Sequence, residues 1–262
     1  MDNLSDKNRQ NAGLLMVFFG LSVLTLSGLV FLVMLAISST TWVALVLALL
    51  MTVSLLWASK TSERRTLKKL LGSQVGEGEQ PRLTNLIEGL CLSTGTSPPR
   101  IHLLPTQSRN IAALGRSVDH STIIITTGLL EAASRIELEA VLANRISQIA
   151  SYRTALATTA ITTFGLSIGL SSFRIQPFSY LAGSLKRKIG LQVDPSHDFV
   201  GDITGTGITR YPPGMVEAIE MTENRTFVPE VSPVLDSLWL FPSTPNTNRP
   251  TVEARATALR EM

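Results

Sequence analysis

Asn144, Arg145 and Gln148 have the spacing of a metal-binding helix: the first and last are four apart, hence on one face, and the middle one directly follows the first. In the H-E-x-x-H arrangement this spacing aims two imidazoles at one Zn²⁺ and supplies a Glu as general base. Amide oxygens are poor zinc ligands beside imidazole or thiolate. A guanidinium adds a fixed positive charge next to the cation and takes no proton from water at neutral pH. The spacing is kept while the chemistry it serves is gone. Taken alone, Asn-Arg-Ile-Ser-Gln is also what an ordinary amphipathic helix carries.

Other residues offer no ready substitute. His102, His120 and His197 never pair at i+3 or i+4, and His197 with its neighbour Asp198 makes at most half of a tetrahedral site. The single cysteine, Cys91, allows no internal disulfide; its apolar helical surroundings suit core packing in a reducing compartment. Gly205-Thr-Gly207 follows no strand, so it reads as loop or helix-end flexibility rather than a phosphate cradle.

The elements that must position Asn144, Arg145 and Gln148 are legible around them. Ser134-Arg-Ile-Glu137 is a capping box, so the helix starts near Ser134, and Val141, Leu142, Ile146 and Ile149 give it an apolar side to pack on a sheet. Ile101 to Leu104 and Thr122 to Thr126 read as strands, with Asn110 to Gly115 as a weaker third. Leu83 to Ser93 has helical spacing and is stopped by the Gly95 to Pro99 cluster.

Apolar residues concentrate at the front. Gly13 to Ile37 holds only small, hydroxyl and apolar residues. That is roughly 37 Å of helix against a hydrocarbon core of about 30 Å. Trp42 to Ser59 repeats the pattern, and the pair reads as an uncleaved membrane hairpin, with a buried hairpin in a soluble protein as the competing reading. Lys7 and Arg9 precede the first span, and Lys60, Arg64, Arg65, Lys68 and Lys69 follow the second, which predicts cytoplasmic flanks. The net charge of +3 largely reflects this cluster, which reads as a topology determinant and not as a nucleic-acid surface. Thr154 to Phe173 is uncharged but diluted by five Thr and three Ser, a marginal span. A shallow or re-entrant hairpin over residues 154–185 is expected, with Lys186, Arg187 and Lys188 back on the cytoplasmic side.

Several further segments, in order, resemble the HtpX family, membrane-integrated zinc metallopeptidases of bacterial quality control and stress response. Asn110-Ile-Ala-Ala-Leu-Gly115 is similar to the family's N-A-F-A-x-G, and Glu137-Leu-Glu-Ala-Val-Leu-Ala143 to its lead-in to H-E-x-x-H. Asp198-Phe-Val-Gly-Asp202 is similar to its E-x-x-x-D, and Thr209-Arg-Tyr-Pro-Pro-Gly-Met-Val-Glu-Ala-Ile-Glu220 to the stretch that follows. Pro250-Thr-Val-Glu-Ala-Arg255 resembles its H-P-P-x-x-x-R ending.

The resemblance implies an α+β zincin-like (gluzincin) domain over residues 81–262, interrupted by the membrane-associated segment 154–185. It would follow an anchor of two transmembrane helices over 1–59 and a basic juxtamembrane connector over 60–80. It puts Asn144, Gln148 and Asp198 at metal positions, Arg145 at the base position and Arg249 where a later His would stand. Asp198 alone keeps a competent ligand, so no metal cofactor is expected, and zinc returns only under the alternative of an active endopeptidase. Arg145, alone or with Arg249, is expected to pair with Asp198 in place of the cation. A peptide groove is expected along Asn110, Ala112, Gly115, Thr122 and Ile124, where an extended chain could add to a sheet edge.

The expected function is that of a catalytically silent, membrane-anchored HtpX-like protein in membrane protein quality control. Its expected partners are the lipid bilayer and unfolded membrane polypeptides or another membrane protease, with no nucleic acid. Its expected place is the bacterial cytoplasmic (inner) membrane, multi-pass, with the soluble domain facing the cytoplasm. A non-functional or purely structural remnant is the remaining alternative.

Overall fold

The computed structural model describes residues 2–37, 40–70, 73–76, 78–164, 196–222, 224–229, 231, 233–243 and 249–262. The expectations for residues 165–185, for Lys186, Arg187 and Lys188, and for the side chains of Arg64, Arg65, Lys68, Lys69 and His197 fall outside what is described.

Helices α1 (Asp2–Ile37) and α2 (Thr41–Leu70) form the N-terminal hairpin. Their stretches Leu4–Ile37 and Thr41–Thr61 are long and apolar enough to cross a membrane. Most of that apolar surface faces outward, with Leu24 61% and Trp42 76% exposed, whereas a core hairpin of a soluble domain would bury such residues. The inner side is different: Leu15, Phe19, Val23 and Leu55 pack with Leu156 and Phe164 of a later helix, α6 (Arg153–Phe164).

Helix α6 lies alongside the beginning of α1. At one end the Asn8 amide donates to the Ser151 carbonyl at 2.8 Å and Arg9 stacks over the Tyr152 ring; at the other, Phe19 meets Phe164 edge-on with centroids 6.1 Å apart. The two helices therefore run the same way for about 16 Å. Thr154, Thr158, Thr159, Thr162 and Thr163 are all buried, and the last two return their hydroxyls to carbonyls one turn back, at 2.7 and 2.6 Å. This back-bonding lets a threonine-rich helix be buried without stranded hydroxyls.

The domain is built on a four-stranded sheet, β1 (Ser73–Gln74), β2 (Arg100–Leu104), β3 (Ile111–Gly115) and β4 (Ser121–Thr126), in the order β1-β2-β4-β3. β2 and β4 are parallel, with Ile101 opposite Ile123, while β3 and β4 are antiparallel, with Ala113 opposite Ile123. The two-residue alternation of side chains divides the sheet into two faces. Ile111, Ala113, Ile123 and Ile125 face helices α3 (Pro81–Thr94) and α5 (Arg135–Ala150), packing with Leu83, Ile87, Val141 and Ile146. Ala112, Leu114 and Ile124 face Ala157 of α6 and the segment containing Leu235, Leu238 and Trp239.

Helix α5 starts at the capping box: the Glu137 amide donates to Ser134 Oγ at 3.3 Å, and the Ser134 amide to Glu137 Oε2 at 2.6 Å. It ends at Tyr152, a non-glycine residue at φ 58° that turns the chain into α6. Helices α4 (Thr127–Ala132), α7 (Ser196–Thr209), α8 (Pro212–Met221) and α9 (Val252–Arg260) complete the domain, with a 3-10 turn at Pro233–Leu238. Cys91 is buried in the α3 core contact, and its burial pushes the thiol pKa up, as a packing residue requires.

Candidate functional site

Helices α5 and α7 cross where Asn144, Gln148 and Asp202 meet. The crossing is close because α7 presents glycines: a Cβ on Gly205 would lie 2.7 Å from Asn144 Cα, and one on Gly201 2.8 Å from Gln148 Nε2. Gly205 is thus a packing residue inside a helix, which corrects the expectation of loop or helix-end flexibility. The Asn144 amide nitrogen donates to Asp202 Oδ1 at 2.9 Å, and Ser147 meets Thr204 at 3.1 Å. Asp202 also receives both prongs of Arg255, at 2.7 and 2.8 Å, and the pair is almost wholly buried. Burial works to lower the Arg255 pKa, but the Asp202 carboxylate outweighs it, so this guanidinium is held charged.

Asp198, one turn earlier on α7, is gripped by Arg249: Nη2 donates to Oδ1 at 2.7 Å and Nε to Oδ2 at 2.9 Å. Burial works to raise the Asp198 pKa, yet the hydrogen bonds and charge of Arg249, helped by Arg255 and Arg145, bring it below the usual carboxylate value. The expected pairing of Arg145 with Asp198 is therefore corrected in its partner. Arg145 turns back on its own neighbour, donating from Nη2 and Nε to Asn144 Oδ1 at 2.6 and 3.2 Å, and from Nη1 to the Leu238 carbonyl at 3.4 Å. Its acceptors are all neutral, while Asp198 is already saturated by a two-pronged partner. Burial first, then repulsion from Arg249, pushes the Arg145 pKa down to about 9, with Asp198 opposing. The cleft thus holds three guanidiniums and three carboxylates, Asp198 and Asp236 both pairing with Arg249, the latter at 3.6 Å, and Asp202 with Arg255.

This donor set does not fit a zinc ion. Asn144 spends its oxygen on Arg145 and its nitrogen on Asp202, and Asp198 is taken by Arg249. A divalent cation would have to enter beside the buried Arg145 guanidinium, whose acceptors among the described residues are neutral oxygens. Among the described residues no three His, Cys, Asp or Glu side chains gather closely enough to hold a metal.

The expected groove is also corrected. Thr122 and Ile124 lie on β4, an interior strand hydrogen-bonded on both sides, so neither borders an open edge. Asn110, Ala112 and Gly115 do lie along the outer strand, but their edge is covered by the chain itself. The Leu240 amide donates to the Ile111 carbonyl at 2.8 Å, Ala112 pairs antiparallel with Trp239, and the Gly115 amide donates to Thr158 Oγ1 at 3.1 Å. Asn110, fully buried, gives to the Thr226 and Phe241 carbonyls and accepts from the Ile111 and Phe241 amides. The sequence reading missed this covering segment, although Leu238-Trp-Leu-Phe241 is an apolar run of the kind that forms short buried strands. It also missed Asp236, whose only signal was an acidic residue beside that run.

No family model matches the chain. Its sequence is similar to a protein named Protease HtpX homolog from Dictyoglomus turgidum, 29% identical over 163 residues that make up 54% of each chain. It is also similar to the protein of the same name from Dictyoglomus thermophilum, 28% identical over 185 residues, 63% of this chain and 61% of that one. The matches therefore span little more than half the length of these relatives. Among solved structures, the crystal structure of S. mikatae Ste24p aligns with 99% of this chain and 66% of its own, at 17% identity and a TM-score of 0.41.

Proposed function

We propose that this chain, which belongs to the HtpX-type family, is a membrane-anchored member whose metallopeptidase cleft has become an arginine-closed, non-hydrolytic scaffold that acts by binding polypeptide or a membrane partner. The observation that carries this reading is the two-pronged grip of Arg249 on Asp198, because it consumes the one metal position that still has a competent ligand. Arg145 supports it from the base position, where a guanidinium neither activates water nor tolerates a neighbouring dication. The α+β arrangement, with the altered helix packed on a mixed sheet, is the scaffold a gluzincin domain uses, and we read the domain as that type.

The bilayer reading rests on the outward apolar faces of α1 and α2 and extends to α6, which runs beside the start of α1. The domain meets the hairpin at its polar ends, where Asn8 binds Ser151 and Arg116 donates to the Ser59 carbonyl. With the basic flanks retained on the cytoplasmic side, the domain faces the cytoplasm of a bacterial inner membrane.

Zinc content and casein cleavage by the purified full-length protein test the reading. The expected result is substoichiometric zinc and no chelator-sensitive cleavage. One zinc per chain together with cleavage abolished by chelation would instead establish an active zinc endopeptidase.

A further inference from the structure

The segment from Asp236 to Phe241 crosses the cleft as a strap, and its binding partners account for all three arginines. Arg145 donates to the Leu238 carbonyl, Arg249 to the Asp236 and Leu240 carbonyls, and Arg255 to the Leu240 carbonyl, at 3.4, 3.2, 2.8 and 3.0 Å. On its other side the strap makes the sheet contacts that an added peptide strand would make: Leu240 amide to Ile111 carbonyl, Trp239 opposite Ala112, and both backbone groups of Phe241 on the Asn110 side chain. Phe241 lies against the Arg255 guanidinium, 5.0 Å from ring centroid to Cζ.

We propose that residues 236–241 are a built-in occupant of the peptide edge of β3, and that the Arg249–Asp198 pair is the latch that decides whether an extended polypeptide can take their place. This rests on the preceding reading of the cleft as a binding scaffold and supplies its regulation. The chemistry favours a strand over any other occupant. Four of the arginines' contacts to the strap are to its backbone carbonyls, which any extended peptide shares, and the side chains of Asp236 and Phe241 add an ion pair to Arg249 and a ring contact to Arg255. The seat is also not fully satisfied: Trp239 is buried with its indole N–H lacking an acceptor among the described residues, so part of what its burial gains is lost. A segment joined to the sheet edge by a few hydrogen bonds and to Arg249, itself held by Asp198, with an unsatisfied donor at its centre, is suited to leave by local opening rather than by unfolding of the sheet.

Hydrogen exchange of the full-length protein in detergent micelles provides the test. In the unmodified protein, the amides of residues 239–241 should exchange at least about tenfold faster than those of 123–125 in β4, because they open locally. In Asp198→Asn, which removes the charge but keeps the shape, the ratio should widen further while β4 stays protected. A synthetic peptide of the sequence Asp236-Ser-Leu-Trp-Leu-Phe241 should bind that variant and not the unmodified protein. Exchange of the strap in step with β4 in the unmodified protein, or an unchanged strap in a folded Asp198→Asn, would overturn the proposal. If Asp198→Asn unfolds, the exchange ratio in the unmodified protein decides alone. None of these readouts involves zinc or cleavage, so failure here is distinct from failure of the proposed function.

Discussion

The guanidinium of Arg249 and the carboxylate of Asp198 meet two-pronged across 51 residues of chain, through hydrogen bonds of 2.7 and 2.9 Å, with the arginine side chain 4% exposed and the aspartate 15%. Arg145, close enough to shift the same carboxylate, is bonded only to neutral oxygens. The two arginines should therefore respond oppositely to removal. Arg249→Ala leaves Asp198 largely buried without its two-pronged partner and should destabilise by up to about 3–5 kcal/mol. Arg145→Met removes a buried cation that has no carboxylate partner among the described residues and roughly keeps its volume, so it should be neutral or stabilise by about 1–4 kcal/mol. Chemical denaturation of both variants checks the signs, and a double-mutant cycle should give a larger coupling for Arg249 with Asp198 than for Arg145 with Asp198.

Alkaline pH should narrow the gap between the unmodified protein and Arg145→Met. The folded pKa of Arg145, about 9, lies below that of an unfolded arginine. The unfolded chain therefore binds the proton more tightly, and the burden Arg145 places on folding is full below about pH 9 and eases as pH rises through it. Melting temperatures of the two proteins at about pH 8 and about pH 10 provide the comparison.

Acid should act through Asp198 with the opposite sign. Its folded pKa is depressed, so its contribution is complete above the unfolded value of about 4 and disappears as pH falls through the folded one. Asp198→Asn should accordingly be less stable than the unmodified protein at neutral pH, with the difference shrinking in acid. A constant difference at every pH would mean that folding does not shift the pKa of this carboxylate.

Restoring the helix residues alone should not restore the metal site. The triple change Asn144→His, Arg145→Glu and Gln148→His supplies two imidazoles and a base, but Asp198 remains held by Arg249. Zinc occupancy, measured by metal analysis after dialysis, should stay low in the triple variant and rise when Arg249→His is added.

At the helix crossing, Gly205→Ala should destabilise by about 1–3 kcal/mol, because its new Cβ would press on the backbone of Asn144, which cannot yield without moving α5 from α7. Gly201→Ala meets the flexible end of Gln148 and should be milder. Thermal unfolding of the two variants ranks them.

What could be foreseen from the chain follows from how local each signal was. The start of α5 rests on Ser134 and Glu137, three residues apart, and β4 on an unbroken β-branched run, so both were visible. The choice of Arg249 over Arg145 for Asp198 was not, because it depends on which side chain can present two donors in one plane once α7 and the C-terminal segment have docked. The strap went unread although its apolar run lies in the chain, and its position on β3 could not be read at all, since strand pairing across 127 residues from Ala112 to Trp239 leaves no local trace. Gly205 was misread for the same reason: a glycine needed for a close crossing looks, in sequence, like one needed for a bend.

The packing of α6 against α1 means that the hairpin is a wall of the domain and not a tether to it. A shortened chain beginning after Ser59 would leave Leu156 and Phe164 without Leu15, Phe19, Val23 and Leu55, and Ser151 without Asn8. Helix α5, which carries Arg145, would then rest on a partner that had lost its own support. Preparations of the isolated soluble portion should aggregate or rearrange, and whatever thins or thickens the surrounding lipid bears on the cleft through the turn at Tyr152 and the contacts of α6 with β3 and the strap.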